Sequence, residues 1–219
     1  MTTYLHTTQT CAVCGTSVSC SVLGSTNTFG SPDLDLRPAE MQRSTMGAWL
    51  QECPQCRFVN GNLEEAVPNA QAVLASIQYE QIVADTVMPE LARKFARHAL
   101  LNADDKEKAG LALLRSAWVC DDEGAVDGAI TYRSQAADFL LSLQPFDDTE
   151  ERATLGTALI DVLRRALRFS EAKALSATLL LLRSVSSNEI IGKVLQHQSR
   201  LCDSKNTDCH TVEDAIKAG

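Results

Sequence analysis

The stretches Cys11-Ala12-Val13-Cys14-Gly15 and Cys53-Pro54-Gln55-Cys56-Arg57 decide how the N-terminal part of this chain folds. Two residues between a pair of thiolates allow a tight turn in which both sulfurs face one point. Two such turns supply the four tetrahedral ligands of a closed structural site. The expected ligands are therefore Cys11, Cys14, Cys53 and Cys56, and the expected ion is Zn2+. Gly15 suits the position after a knuckle, where positive φ is often required, and Pro54 fixes the approach to the second turn. The competing reading makes each Cys-x-x-Cys a redox dithiol. Neither pair lies in a βαβ context, and two pairs together favour metal.

The 38 residues between the pairs exceed a minimal zinc ribbon. Thr16–Val22 alternates polar and apolar residues, with Val18, Cys20 and Val22 on one face of a strand. A second strand is expected over Met46–Glu52, delivering the chain to Cys53. Between them lie a turn-rich loop, Gly24–Pro32, and Asp33-Leu34-Asp35-Leu36-Arg37-Pro38. Asp33, Asp35 and Arg37 read as a loop tied down by Asp–backbone bonds and an Arg–carboxylate pair; the alternative is a ligand contact. Four thiolates and Zn2+ sum to −2, so nearby cations are expected, with Arg57, Arg37 and Arg43 as candidates; solvated surface is the alternative for all three and the favoured reading for Arg43. Arg57 takes a position usually given to Gly, so either its backbone is unusual or its guanidinium serves the thiolates.

Beyond residue 61 the chain turns rich in Ala, Leu and charge at helical spacing. Asn62 with Glu65 forms a capping-box signature, but Pro68 interrupts that start, so a turn is expected there. Val73, Leu74, Ile77, Gln81 and Ile82 make a stripe. Pro89 opens a helix with Leu91, Phe95 and Ala99 on one face. Leu111, Leu114, Ala117 and Trp118 line the next, which ends at Gly124 after Asp121-Asp122-Glu123. Ile130, Ala137 and Leu140 follow, and Pro145 marks a boundary. Leu155, Leu159, Leu163 and Leu167 form the clearest stripe. Leu175, Leu179 and Leu182, then Ile190, Ile191, Val194 and Leu195, complete the set. The expected fold is mainly α: a small β zinc-ribbon-like module over residues 1–61, an antiparallel helical array over 62–202, and a polar tail over 203–219, flexible by its composition. Arg165–Ala172 reads as the turn of a helical repeat. Ala129 and Ala172 would be equivalent small positions, 43 residues apart where strict tetratricopeptides repeat every ~34; the alternative is an irregular bundle.

Cys11-x-x-Cys14-Gly15, Asp35-Leu36-Arg37-Pro38 and Trp49-Leu50-Gln51-Glu52-Cys53-Pro54-Gln55-Cys56-Arg57-Phe58 together resemble uncharacterised bacterial proteins. Those proteins pair a four-cysteine N-terminal module with tetratricopeptide-like helices, and Ala117–Asp122 is similar to a helix motif in their C-terminal part. The departure is at Arg57, where those proteins usually carry Gly. The resemblance implies an architecture and no activity.

The formal net charge of −8 disfavours nonspecific binding to nucleic acid or anionic membranes. Residues 1–61 hold only Arg37, Arg43 and Arg57 and no Lys, so a nucleic-acid-binding zinc ribbon is the weaker alternative. No signal peptide or membrane-spanning run is evident, which makes a reducing cytoplasm the default compartment and thiols or metal ligands the default state of the eight cysteines. Cys202, Cys209 and His210 read as incidental in a tail, not as a second metal site. Cys20 and Cys120 read as buried core, His98 as a packed or solvated helix residue, not a catalytic one, and Asp121-Asp122-Glu123 as an acidic helix end. No nucleophile–base pair, P-loop or dinucleotide fingerprint is present. The expectation is a non-enzymatic zinc protein whose helices hold a protein partner or a second copy, with a redox-sensitive zinc switch as a further alternative. The Leu179–Leu182 run is core, or a partner surface where exposed.

Overall fold

A computed structural model describes residues 1–218, and the last residue of the expected tail, Gly219, lies outside the described residues. The chain is mainly helical, with a small antiparallel β element at the N-terminus followed by a helical array. Strands β1 (Thr3–Thr10) and β2 (Ser17–Ser25) form a hairpin in the register Thr10↔Ser17 to Thr3↔Ser25, turned by the first cysteine pair. Strands β3 (Gln51–Glu52) and β4 (Val59–Asn60) form a second, shorter hairpin turned by the second pair.

The expected strand over Met46–Glu52 is corrected. Arg43–Ala48 is a 3-10 helix, and only Gln51–Glu52 is extended. Local hydrogen bonds outcompete pairing here: the Thr45 hydroxyl donates to Gln42 O (2.7 Å), Trp49 Nε1 donates to Thr45 Oγ1 (2.8 Å), and Trp49 N–H donates to Met46 O (3.1 Å). The turn buries Met46 and Leu50 in the helical core.

The stripe expected from Val73 to Ile82 is also split. Residues 62–65 form the turn expected before Pro68: the Asn62 side chain accepts the Glu64 N–H, and Asn69 sits at φ +57. Helix α1 covers Ala70–Leu74. Ser76 then caps α2 (Ile77–Ala84), accepting the Tyr79 N–H while its hydroxyl donates to Val73 O. Ile77 is 74 % exposed, outside any core.

The remaining helices are α3 (Glu90–Leu101), α4 (Lys106–Asp122), α5 (Val126–Leu141), α6 (Glu150–Arg165), α7 (Phe169–Leu179), α8 (Arg183–Ser186), α9 (Glu189–Asp203) and α10 (Val212–Lys217). Pro89 precedes α3 as expected, and Asp105, Thr149, Asn188 and Thr211 cap four others through their side chains. From α3 to α7 each helix packs on the next, and α9 returns to α6 and α7. Gly110 lets α4 approach α5, since a Cβ there would lie 2.8 Å from Leu140. Among the described residues no helix is long and apolar enough to cross a membrane.

The pairs α4–α5 and α6–α7 share one turn. In the first, Ala125 N–H bonds Cys120 O (2.8 Å) around Gly124 at φ +71. In the second, Arg168 N–H bonds Leu163 O (2.8 Å) around Leu167 at φ +64. Ala129 and Ala172 are then both the fourth residue of their helix and both buried. The 43-residue offset is therefore that of one helical hairpin to the next. Leu167, expected on the α6 stripe, is instead the turn residue and 54 % exposed.

The segment expected to be a polar tail instead folds back on the molecule. Leu34 N–H donates to His210 O (2.9 Å) and Val212 N–H to Pro32 O (3.0 Å), and Leu34 packs with Val194, Leu201 and Ala215. The buried Arg164 holds the backbone oxygens of Asn206 (2.6 Å) and Asp208 (2.9 Å). These anchors are long-range and mostly to backbone, so composition does not announce them.

Candidate metal centre

The two cysteine turns are built alike. Gly15 N–H donates to Cys11 O (2.8 Å) and Cys11 N–H to Thr16 O (2.9 Å). In the second turn Arg57 N–H donates to Cys53 O (2.9 Å) and Cys53 N–H to Phe58 O (2.8 Å). Gly15 and Arg57 occupy the same place in this pattern, and both have positive φ, +73 and +65. The anomaly at Arg57 is thus one of backbone conformation: a non-Gly residue is held left-handed by the turn around it. Its guanidinium reaches Glu52 (3.5 Å) and is more than half exposed.

The turns face each other. Cys11 Sγ lies 3.7 Å from Cys56 Sγ and Cys14 Sγ lies 3.6 Å from Cys53 Sγ, and all four sulfurs fall within 4.8 Å of one another. Cys11 and Cys53 are buried, Cys56 is half-buried and Cys14 is exposed. A convergent set of four thiols suits a soft cation, which binds the thiolate form. Burial pushes the Cys11 and Cys56 thiols above their ordinary value, while the Thr16 hydroxyl, 3.2 Å from Cys14 Sγ, pulls that thiol down to about 6. Hydrogen bonding from the backbone near Val13 and Cys14 for Cys11, near Thr16 for Cys14 and near Phe58 for Cys56 favours the thiolate form. These dipoles compensate the thiolate charge. The arginines expected in that role are engaged elsewhere: Arg37 pairs with Asp122, and Arg43 pairs with Asp33 at 2.6 Å. Both leave the solvated state that would make them free surface charges.

The centre is bolted to the helices by contacts that its own sequence does not reveal. Arg97 on α3 holds both oxygens of Glu52 (2.8 and 3.1 Å), and the Tyr79 hydroxyl on α2 donates to Arg57 O (2.6 Å). His98 on α3 sits 3.5 Å from Val59 O. Burial lowers the His98 imidazole to about 4, so the folded protein keeps it neutral while the unfolded chain takes up a proton near 6.5. Its contribution is complete above about pH 6.5 and is lost as the pH falls toward 4, a span of up to about 3 kcal/mol. We expect urea-unfolding free energies measured from pH 7 to 4 to fall less steeply for His98→Gln than for the native chain. Parallel slopes would show that His98 does not carry the effect.

The other candidate residues are not gathered into a site. Cys20 and Cys120 are buried core, as expected. Cys202 is buried on α9, Cys209 is exposed, and the His210 ring stacks edge-on against His197 at 5.3 Å. Among the described residues Cys11, Cys14, Cys53 and Cys56 are the one group of ligating side chains placed to share an ion. Asp33, Asp35 and Arg37 are buried, and Asp35 meets Trp118, Arg133 and Arg165. Comparison of the chain with protein-family models, with curated proteins and with solved structures returns no match.

Proposed function

We propose that this is a non-enzymatic zinc-binding protein in which a closed metal centre fixes an N-terminal module onto a helical scaffold that holds a protein partner. One observation carries the metal assignment. Zinc–sulfur bonds of about 2.3 Å in a tetrahedron require sulfurs roughly 3.8 Å apart. The two cross-turn separations, 3.7 and 3.6 Å, match that edge, and the remaining sulfur pairs lie within 4.8 Å. Four protein sulfurs fill the tetrahedron and leave no position for a substrate, which favours a structural ion.

A cleft of about 330 Å³ supports the scaffold reading. Met88, Ala96, Leu100 and Phe139 line it between α3 and α5, with Thr131 and Gln135 at its exposed rim. Nucleic acid is the poorer reading, because Arg37, Arg43 and Arg57, the three arginines of residues 1–61, each pair with a carboxylate.

Native mass spectrometry of protein purified without added metal is expected to find one zinc per chain. Cobalt substitution should give the intense visible bands of a tetrahedral thiolate site. Protein that folds metal-free, or a cobalt spectrum showing a bound water, would overturn the assignment. For the scaffold, Gln135→Arg should release a protein that the wild type retains in affinity capture from its native cell, and equal retention would count against the cleft.

A further inference from the structure

The outer edge of β1 is an unpaired strand edge of a two-stranded sheet. Cys11 N–H donates across the hairpin to Thr16 O, and antiparallel pairing alternates inward and outward groups along a strand. Thr10 N–H accordingly points away from β2, where it donates to Glu64 Oε1 at 3.2 Å. The same phase turns the N–H and C=O of Tyr4, His6 and Thr8 outward. Among the described residues the sheet has two strands only, and no backbone group pairs with these.

Edge strands are normally blunted by Lys, Pro, inward charges, bulges or brevity. β1 is eight residues long, and its free stretch, Tyr4–Thr8, contains no Pro and no charged residue and follows directly on the register shift between Thr3 and Tyr4, with no further irregularity within it. Its residues from Thr3 to Thr8 are all exposed, Tyr4 at 47 % and Leu5 at 59 %. Charge narrows the choice of occupant. Residues 1–32 contain no Asp, Glu, Lys or Arg, in a chain whose net charge is −8. Two copies repel over most of their surface, and the hairpin is where they meet without like charges opposed. The edge is also self-complementary. A two-fold axis through His6 sets His6 against His6 and Tyr4 against Thr8 of the second copy, so every outward donor finds an acceptor.

We infer that β1 is a docking strand for β1 of a second copy, joining two hairpins into a four-stranded antiparallel sheet in the order β2, β1, β1, β2. The first cysteine turn closes the hairpin at Thr10, so the strand is presented from a fixed base. The contact is of the weak class, well under ~1,000 Å², and its affinity rests on backbone pairing.

Sedimentation equilibrium of the full-length protein up to about 1 mM, the range suited to so small an interface, tests this. The wild type should rise toward twice the monomer mass as concentration increases. His6→Pro removes the central outward N–H without touching the β1–β2 ladder and should weaken association about tenfold or more. Thr8→Lys keeps every backbone group and should do the same by charge; it decides the matter if circular dichroism shows His6→Pro misfolded. A wild type that stays monomeric throughout overturns the proposal. So does association that survives both variants, which would place the contact elsewhere, such as the exposed Leu180–Leu181.

Discussion

Replacing Cys53 with serine, or stripping the proposed zinc with a chelator, should cost this protein more stability than any other single change while leaving most of its helices intact. Cys53 is fully buried, and the core around it consists of Cys11, Cys20, Phe58, Val59 and Leu63 with parts of α1 and α2. Two short hairpins are at best marginal alone in water. Structural zinc in small peptides supplies roughly 10–16 kcal/mol at neutral pH, and that binding energy is folding energy. The main helical core is a separate cluster spanning α3 to α9, so it has its own source of stability. The boundary of the damage can be placed. Ala70, Tyr79 and Leu101 belong to the metal-side core, and Glu52 and Val59 are held by Arg97 and His98. Loss should therefore spread through β1–β4, α1 and α2 and stop at the α3 surface. Hydrogen exchange should show those segments unprotected in metal-free or Cys53→Ser protein, with most far-UV helical signal retained. Unchanged protection over residues 3–25 and 51–60 in metal-free protein would rule out a structural role for the ion.

What could be read in the sequence was whatever local chemistry dictates. The cysteine spacing places all four sulfurs, because a knuckle is made by five consecutive residues. Arg57 flagged an unusual backbone because its place in the pattern demands positive φ, which it has. Helices announced by local caps and stripes, such as the one opened by Pro89 and the run Leu155–Leu163, stand where spacing put them. β1 was illegible because Thr, Tyr, His and Gln give it no apolar face to alternate, and its strand character comes from pairing with β2. The 3-10 helix at Arg43–Ala48 and the return of residues 203–218 depend on side chain–backbone bonds that periodicity does not register. The burial of Asp35 was the furthest from view, since its partners Trp118, Arg133 and Arg165 are 83, 98 and 130 positions away.

Asp35→Ala is expected to destabilise the protein by about 3–5 kcal/mol, the cost of leaving a buried ion network with an unpaired charge. Asp35 has no exposed surface. It accepts the Trp118 indole N–H at 2.8 Å and lies 3.5 Å from Arg133 and 3.4 Å from Arg165. Those two guanidiniums share Asp121 as their other carboxylate. Two positive and two negative charges thus balance, and the Arg133 side chain is only 2 % exposed. Removing Asp35 leaves two buried cations on one partner and orphans the Trp118 donor. It also frees the loop that links the four-cysteine region to both the array and the C-terminal segment, since Arg37 N–H bonds Asp35 Oδ1 and Leu34 carries the contact to α10. Urea unfolding followed by circular dichroism should report the loss, and Trp118 emission should shift as its environment loosens. Asp35→Asn keeps the shape and an acceptor for Trp118, so it separates charge from packing and should cost less than Asp35→Ala. Adding Arg165→Ala to Asp35→Ala should recover part of the loss, because it restores charge balance, and a double-mutant cycle measures that coupling. A cost below about 1 kcal/mol for Asp35→Ala, within the range of ordinary surface pairs, would show that the network is peripheral to how this fold is held together.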